Sequence, residues 1–328
     1  MKTRLLLAVA ILATALMPVS ASAEPVLTVG VAYDIGGRGD RSFNDASHAG
    51  LEKAQKQFDF ELVPVVTDGS SADREKRIRS LIAKNCDPII AIGSGYSPTL
   101  QALAVEYPST HFAIINDASV AALNVTSVIF ADNQGAFLAG FSAAQLSKSG
   151  KVAMIANPDQ ADIYKDGFSA GVFASKKKVI PIVKYVSGSY SAATNQVIDA
   201  GADVLFVATQ GSDSEVFKVI VARNAKKKGS NIGLINVEPD QYITVTNATK
   251  KFLLASVVKR VDKAIFDIIA LSTAKKQYLD ILDADAGIYG RRYGITGGGI
   301  EFTIRSNELL AKSGSINIAA ATAEKIPA

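Results

Sequence analysis

Short runs of β-branched and aliphatic residues recur along the chain, each followed by a stretch with helical spacing. Residues 26–33, 60–66, 88–92, 112–115, 126–130, 151–156, 179–186, 203–208, 232–237 and 253–257 read as strands. Residues 42–58, 71–85, 98–106, 138–146, 164–175, 192–200, 215–228 and 259–273 read as helices between them, and residues 289–302 as turns and short strands. Strands that are apolar throughout are covered on both faces, and helical crossovers join parallel neighbours. The pattern predicts parallel sheets flanked by helices, with too many strands for one small sheet. An eight-fold barrel of this length is the rival architecture.

The first residues stand outside the pattern. Lys2 and Arg4 precede an apolar run over residues 5–17, Pro18 breaks it, and Ala21-Ser22-Ala23 places small residues before a cleavage point. This is the layout of a secretory signal peptide, residues 1–23, with an apolar run too short to span a bilayer. No cysteine lies near the cleavage point, so no lipid anchor is expected, and the expected location is the periplasm. Two packed α/β lobes suit an exported ligand-binding protein better than a barrel does.

Composition removes several classes. With 48% hydrophobic and 20% charged residues, the 328-residue chain is not disordered. The formal charge of 35 − 31 = +4 is too weak to suggest a nucleic-acid binder. A single cysteine, Cys86, excludes an intrachain disulfide and a cysteine-built zinc site. It reads as a small buried hydrophobe before a strand. Two histidines, His48 and His111, leave little for a metal or catalytic centre and read as structural or solvated. No cofactor is expected.

In parallel α/β sheets, ligands sit beyond the carboxyl ends of the strands. The informative loops are therefore 34–44, 67–71, 93–97, 116–119, 157–162, 187–190, 209–214 and 238–241. The first holds Asp34-Ile-Gly-Gly-Arg-Gly-Asp40-Arg-Ser42-Phe43-Asn44. Its glycines allow a tight turn, and Asp40 or Ser42 can cap the following helix. Phe43 beside Asn44 offers an aromatic face and an amide, which suits a flat heterocycle. The residues alone divide evenly between that role and a capped helix with Phe43 in the core. Gly167-Phe-Ser169-Ala-Gly171 matches the nucleophile elbow of hydrolases, but that motif needs a strand before it and a histidine after it. Helical spacing surrounds it and no histidine follows His111, so catalysis by Ser169 is not expected. The lysines at 176–178 and 226–228 fall at helix ends, where they complement the dipole.

The first loop resembles the signature of the basic membrane protein family, the nucleoside-binding components of bacterial ABC importers. That pattern, Asp-x-Gly-Gly-x-x-Asp-x-Ser-Phe-Asn after the first strand, is matched at every fixed position. Further likeness lies in Phe112-Ala-Ile-Ile-Asn-Asp117, Gly135-Ala-Phe-Leu-Ala-Gly140, Gly201-Ala-Asp-Val-Leu-Phe206, Asp240-Gln241 and Val258-Lys259-Arg260-Val261-Asp262.

The resemblance implies a type I periplasmic binding protein. It would have two lobes, each a parallel sheet flanked by helices, and three hinge crossings. Lobe 1 would hold 24–129 and 238–278, and lobe 2 would hold 130–237 and 279–328. It implies no enzyme but a monomer that closes over a purine nucleoside such as adenosine, guanosine or inosine, and delivers it to a membrane ABC permease. Phe43 and Tyr190 would stack on the two faces of the base, and Asp34 and Asn44 would read its edge. Asp117, Gly211, Glu238 and Lys259 would hold the ribose. Asn116 competes with Asp117 for the family's aspartate position, and Glu238 replaces an aspartate. Another flat heterocycle such as riboflavin is the rival ligand, and a sensory receptor without a transport role is the rival function. A nucleoside hydrolase would need an aspartate-rich metal loop that is not seen.

Overall fold

The structure is a computed structural model that describes residues 26–158, 161–209, 213–226, 231–237, 242 and 245–326. The signal-peptide expectation lies outside the described residues.

The first half alternates strand and helix: β1 Leu27–Tyr33, α1 Phe43–Gln55, β2 Phe60–Val66, α2 Ser71–Ile82, β3 Ile89–Ile92, α3 Ser97–Glu106, β4 Phe112–Ile115 and β5 Val125–Phe130. The second begins with α4 Asp132–Leu146, β6 Lys151–Ala156, α5 Ala161–Ala174, β7 Ile180–Tyr185, α6 Tyr190–Asp199, β8 Val204–Ala208, α7 Asp213–Lys226 and β9 Gly233–Val237. Then come α8 Asn247–Lys250, β10 Leu253–Lys259, α9 Val261–Thr273, β11 Asp280–Asp283, β12 Ile288–Tyr293, β13 Ile300–Ile304, α10 Asn307–Leu310 and α11 Ser313–Ala323.

Among the described residues the strands form two sheets, ordered β11-β12-β5-β4-β3-β1-β2 and β13-β10-β9-β8-β6-β7. Every pair is parallel except β11 with β12 and β10 with β13, which lie at sheet edges. The interior strands β3, β4, β8 and β9 are buried at every position, as fully covered parallel strands must be. This is the two-lobed architecture, and two separate sheets exclude the closed barrel.

Sheet membership corrects the lobe boundaries. Strand β10 lies in the second sheet, whereas β11 and β12 lie in the first. The return to lobe 1 therefore begins with α9, which packs on α1, and runs through β12. The expected return over 238–278 starts too early and ends too soon. The chain passes between sheets three times, after β5, after β10 and after β12. At the second passage Arg260 donates to both carboxylate oxygens of Asp262 and to Glu301 on β13, and its N–H donates to the Gly299 carbonyl. Burial pushes the Asp262 carboxyl up, but the guanidinium outweighs it and holds the group below the usual aspartate range.

The Gly167–Gly171 motif has a packing explanation. It lies within α5, which crosses α4 at close range. A Cβ on Gly167 would stand 2.2 Å from the Asn133 carbonyl oxygen, and one on Gly171 2.0 Å from that of Phe137. Glycines four apart share one helix face, so the motif is a seam between helices and no elbow. Gly171→Ala is expected to force the helices apart at a cost of roughly 1–3 kcal/mol. A urea melt should show a lower midpoint for Gly171→Ala and an unchanged one for Ser169→Ala. Equal midpoints for all three proteins would remove the seam.

Candidate functional site

The carboxyl ends of both sheets converge on the ammonium of Lys259, the last residue of β10. The side chain is 4% exposed. A buried ammonium needs a counter-charge and hydrogen bonds; the counter-charge comes from its own lobe and a further acceptor from the other. Asp132 Oδ2, in the first turn of α4, accepts from Nζ at 2.9 Å, and Asn116 Oδ1, just beyond β4, at 3.3 Å. Three rings surround the same nitrogen: Tyr164 of α5 at 5.7 Å from centroid to Nζ, and Phe43 and Phe130 each at 5.9 Å. These distances lie within cation–π range. Tyr164 is itself held edge-on to Phe206, which stacks on Phe168. The other carboxylate oxygen of Asp132, Oδ1, is buried and has no hydrogen-bond partner among the described residues.

The glycine-rich loop after β1 positions Phe43. Asp40, not Ser42, caps α1: its carboxylate accepts from the N–H groups of Ser42, Asn44 and Asp45 at 2.8, 3.0 and 3.1 Å. Phe43 is thereby set at the start of the helix, partly buried against the main core and facing Lys259. The capped helix is thus present, with Phe43 packed only partly into the core. Asp34 follows β1 at the switch point where the strand order reverses between β1 and β3, a preferred place for ligands. Arg74 Nη2 donates to Asp34 Oδ1 at 2.9 Å.

The remaining candidates fall in different places. Asn44 is buried, and its amide is engaged with the backbone of Asp34: Oδ1 accepts from N–H at 3.0 Å and Nδ2 donates to C=O at 3.3 Å. Asp117 accepts from the N–H and hydroxyl of Ser119 and so stabilises its own turn. Its neighbour Asn116, held at φ 66°, is the residue that meets Lys259. Tyr190 begins α6 in the second lobe, packs partly against that lobe's outer core and donates its hydroxyl to Asn157. Asn157 follows β6, at the switch point of the second sheet. Gly211 and Glu238 lie outside the described residues. The structure thus brings Phe43 and Lys259 together and adds Asn116, Phe130, Asp132 and Tyr164.

Asp132 escaped the sequence reading because the junction after β5 was not among the loops considered. The rule that ligands gather at strand carboxyl ends applies to β5 as well. His48 lies between the Tyr33 hydroxyl and Glu52, and His111 pairs with Asp87, so both are engaged structurally. Burial pushes the Tyr33 phenol up to about 12. Cys86 is 2% exposed, and burial raises its thiol.

Two grooves have linings that do not include Lys259. One of about 620 Å³ opens at the amino ends of the first sheet, beside Leu27, Pro88, His111 and Phe112. Another of about 630 Å³ runs between the 40–42 loop of lobe 1 and α7 and α8 of lobe 2. Among the described residues no helix is long and apolar enough to cross a membrane, and no group of ligating side chains could hold a metal ion.

Two sheets whose carboxyl ends share one buried cation define a two-lobed binding protein. Residues 27–318 match the model of the Bmp family, described as ABC transporter substrate-binding protein PnrA-like, and the chain belongs to that family. It is 32% identical to a CD4+ T-cell-stimulating antigen of Listeria innocua over 75% of this chain and 74% of the relative. It is 27% identical to the ABC transporter nucleoside-binding protein BmpA of Lactococcus lactis, over 74% of each. An ABC transporter solute-binding protein from Aeropyrum pernix superposes with a TM-score of 0.66 at 21% identity, over 92% of this chain and 87% of that one. Substrate-binding proteins of ABC transporters work outside the cytoplasm, bind a small ligand and deliver it to a permease.

Removing one member of the buried pair isolates the other. Lys259→Met is expected to cost about 3–5 kcal/mol of stability, because Asp132 is left without its cation. Adding Asp132→Leu should restore much of the loss. Denaturant melts of both variants check this, and a single variant as stable as wild type would show that the pair is not a buried one in solution.

Proposed function

We propose that this protein captures a purine nucleoside between its lobes and presents it to a membrane permease. The observation that carries the reading is the Lys259 cluster. It combines aromatic faces from both lobes with an ammonium, an amide and a buried carboxylate oxygen that lacks a donor. A nucleoside has matching parts. Its base is flat and stacks on aromatic rings. Its ribose diol supplies hydroxyl donors for Asp132 Oδ1 and Asn116, and acceptors for Lys259.

In this reading Phe43 covers one face of the base and Tyr190, from the second lobe, the other. Asp34 reads the base edge, and Gly211 and Glu238 complete the ribose end. Closure is a hinge motion about the three crossings. A free ligand bridges groups that belong to different lobes, and so stabilises the closed state by its differential contacts. The Lactococcus lactis relative, named as nucleoside-binding, supports this ligand class. The protein catalyses no reaction in this account, acts as a monomer, and is exported by cleavage after Ala23 without a lipid anchor. Relatives named as lipoproteins in Pyrococcus abyssi and Pyrococcus furiosus make the anchor worth testing by mass of the exported protein.

Phe43→Ala tests the stacking. Each base face contributes roughly 1–3 kcal/mol. The variant should therefore bind inosine about ten- to a hundredfold more weakly in calorimetric titration. Its melt should remain cooperative, because Phe43 is only partly buried. A variant that melts far below wild type yet binds inosine normally at low temperature would remove Phe43 from the site. Riboflavin in a parallel titration separates the rival ligand.

A further inference from the structure

Arg74 of α2 has a guanidinium placed behind Asp34 and built into the fold. Nη2 donates to Asp34 Oδ1 at 2.9 Å and Nη1 to the Gly69 carbonyl at 2.6 Å. The Tyr96 ring lies 5.5 Å from Cζ. The fold leaves room for it, since a Cβ on Gly95 would stand 2.6 Å from Cζ. The Arg74 side chain is 13% exposed and Asp34 36%. The arginine is therefore the covered partner, and the carboxylate, just beyond the carboxyl end of β1, is the more exposed one.

This arrangement restricts what Asp34 can recognise. A carboxylate paired with a guanidinium accepts hydrogen bonds and has no proton to donate. The neighbouring amide that could both donate and accept, Asn44, is engaged with the Asp34 backbone. The base-reading end of the site thus presents a fixed acceptor. A purine with a carbonyl at C6 carries a hydrogen on N1, and guanine adds an amino group at C2, so both donate toward a carboxylate. Adenine has one donor on that edge, its C6 amino group beside a bare N1, and hypoxanthine one, its N1–H beside the C6 carbonyl; guanine alone sets two adjacent donors against the carboxylate.

Resting on the nucleoside reading above, we propose that Arg74 is a positioning residue that holds Asp34 as a fixed acceptor. The site would thereby select guanosine, whose N1–H and C2 amino group donate together, over purine nucleosides with a single donor on that edge. A good two-point base contact discriminates by ~1–3 kcal/mol, which is about ten- to a hundredfold in affinity.

Calorimetric titration of the full chain with guanosine, inosine and adenosine at neutral pH tests this, on wild type, Asp34→Asn and Arg74→Gln. Wild type should bind guanosine about ten- to a hundredfold more tightly than inosine or adenosine. Asp34→Asn keeps the shape but adds a donor for the bare N1, and should close or invert that ratio. Arg74→Gln should also shrink the ratio, whereas an arginine with a merely structural role would weaken all three ligands in proportion. Inosine or adenosine binding to wild type as tightly as guanosine overturns the selectivity and leaves the nucleoside reading standing. A ratio unchanged in Arg74→Gln overturns the role of Arg74. Failure of all three nucleosides to bind wild type overturns the nucleoside reading itself.

Discussion

A lysine side chain that is 4% exposed must be neutralised where it lies, and the organisation of the cleft follows from how Lys259 achieves this. Its ammonium lies at the end of strand β10 of the second sheet, and its hydrogen-bond partners come from both sides of the first chain crossing: Asn116 before β5 and Asp132 after it. The ion pair is internal to the second lobe, and the hydrogen bond to Asn116 is what reaches the carboxyl end of the first sheet. The surrounding rings of Phe43, Phe130 and Tyr164 lower the local polarity, which strengthens the pair and every other polar contact made beside it. The result is a small polar centre in an aromatic wall, a combination suited to a ligand with one flat face and one hydroxylated end.

Much of the fold was legible in the sequence because parallel strands declare themselves as apolar runs. Phe60–Val66, Phe112–Ile115 and Lys151–Ala156 have the bounds that their residues predict. The failures have physical reasons. Lys259 was read as the start of a helix, since Val-Val-Lys-Arg-Val-Asp also suits helical spacing. In the structure β9 pairs with β10 as far as Val257, and β13 on the other side extends it to Lys259. Helix α4 begins at Asp132 rather than near 138, because its Gly135 packs closely on Val257 and weakens the local helical signal. The lobe boundary was misplaced for a deeper reason. An apolar run states that it will be buried in a sheet, but not in which sheet.

The site was legible to a smaller extent. Phe43, Asp34 and Lys259 stand at strand ends or in the loop after one, and the strand-end rule finds such positions. Asp132 obeys the same rule at β5, where it was not applied. Arg74 obeys no local rule: it is 40 residues from Asp34 in sequence, on the outward helix, and only folding brings the two together. Asn44 shows the opposite limit. Its residue type fits base recognition, yet its amide is engaged with the backbone turn that holds Asp34 in place.

The most direct test of the account is to identify what the cleft holds. The protein would be incubated with an equimolar mixture of guanosine, inosine, adenosine and riboflavin, washed free of unbound ligand, and denatured. Mass spectrometry of the released material would follow. The account predicts a purine nucleoside, released in about one equivalent from wild type and depleted from Phe43→Ala. Release of riboflavin, or of no nucleoside at all, would contradict it.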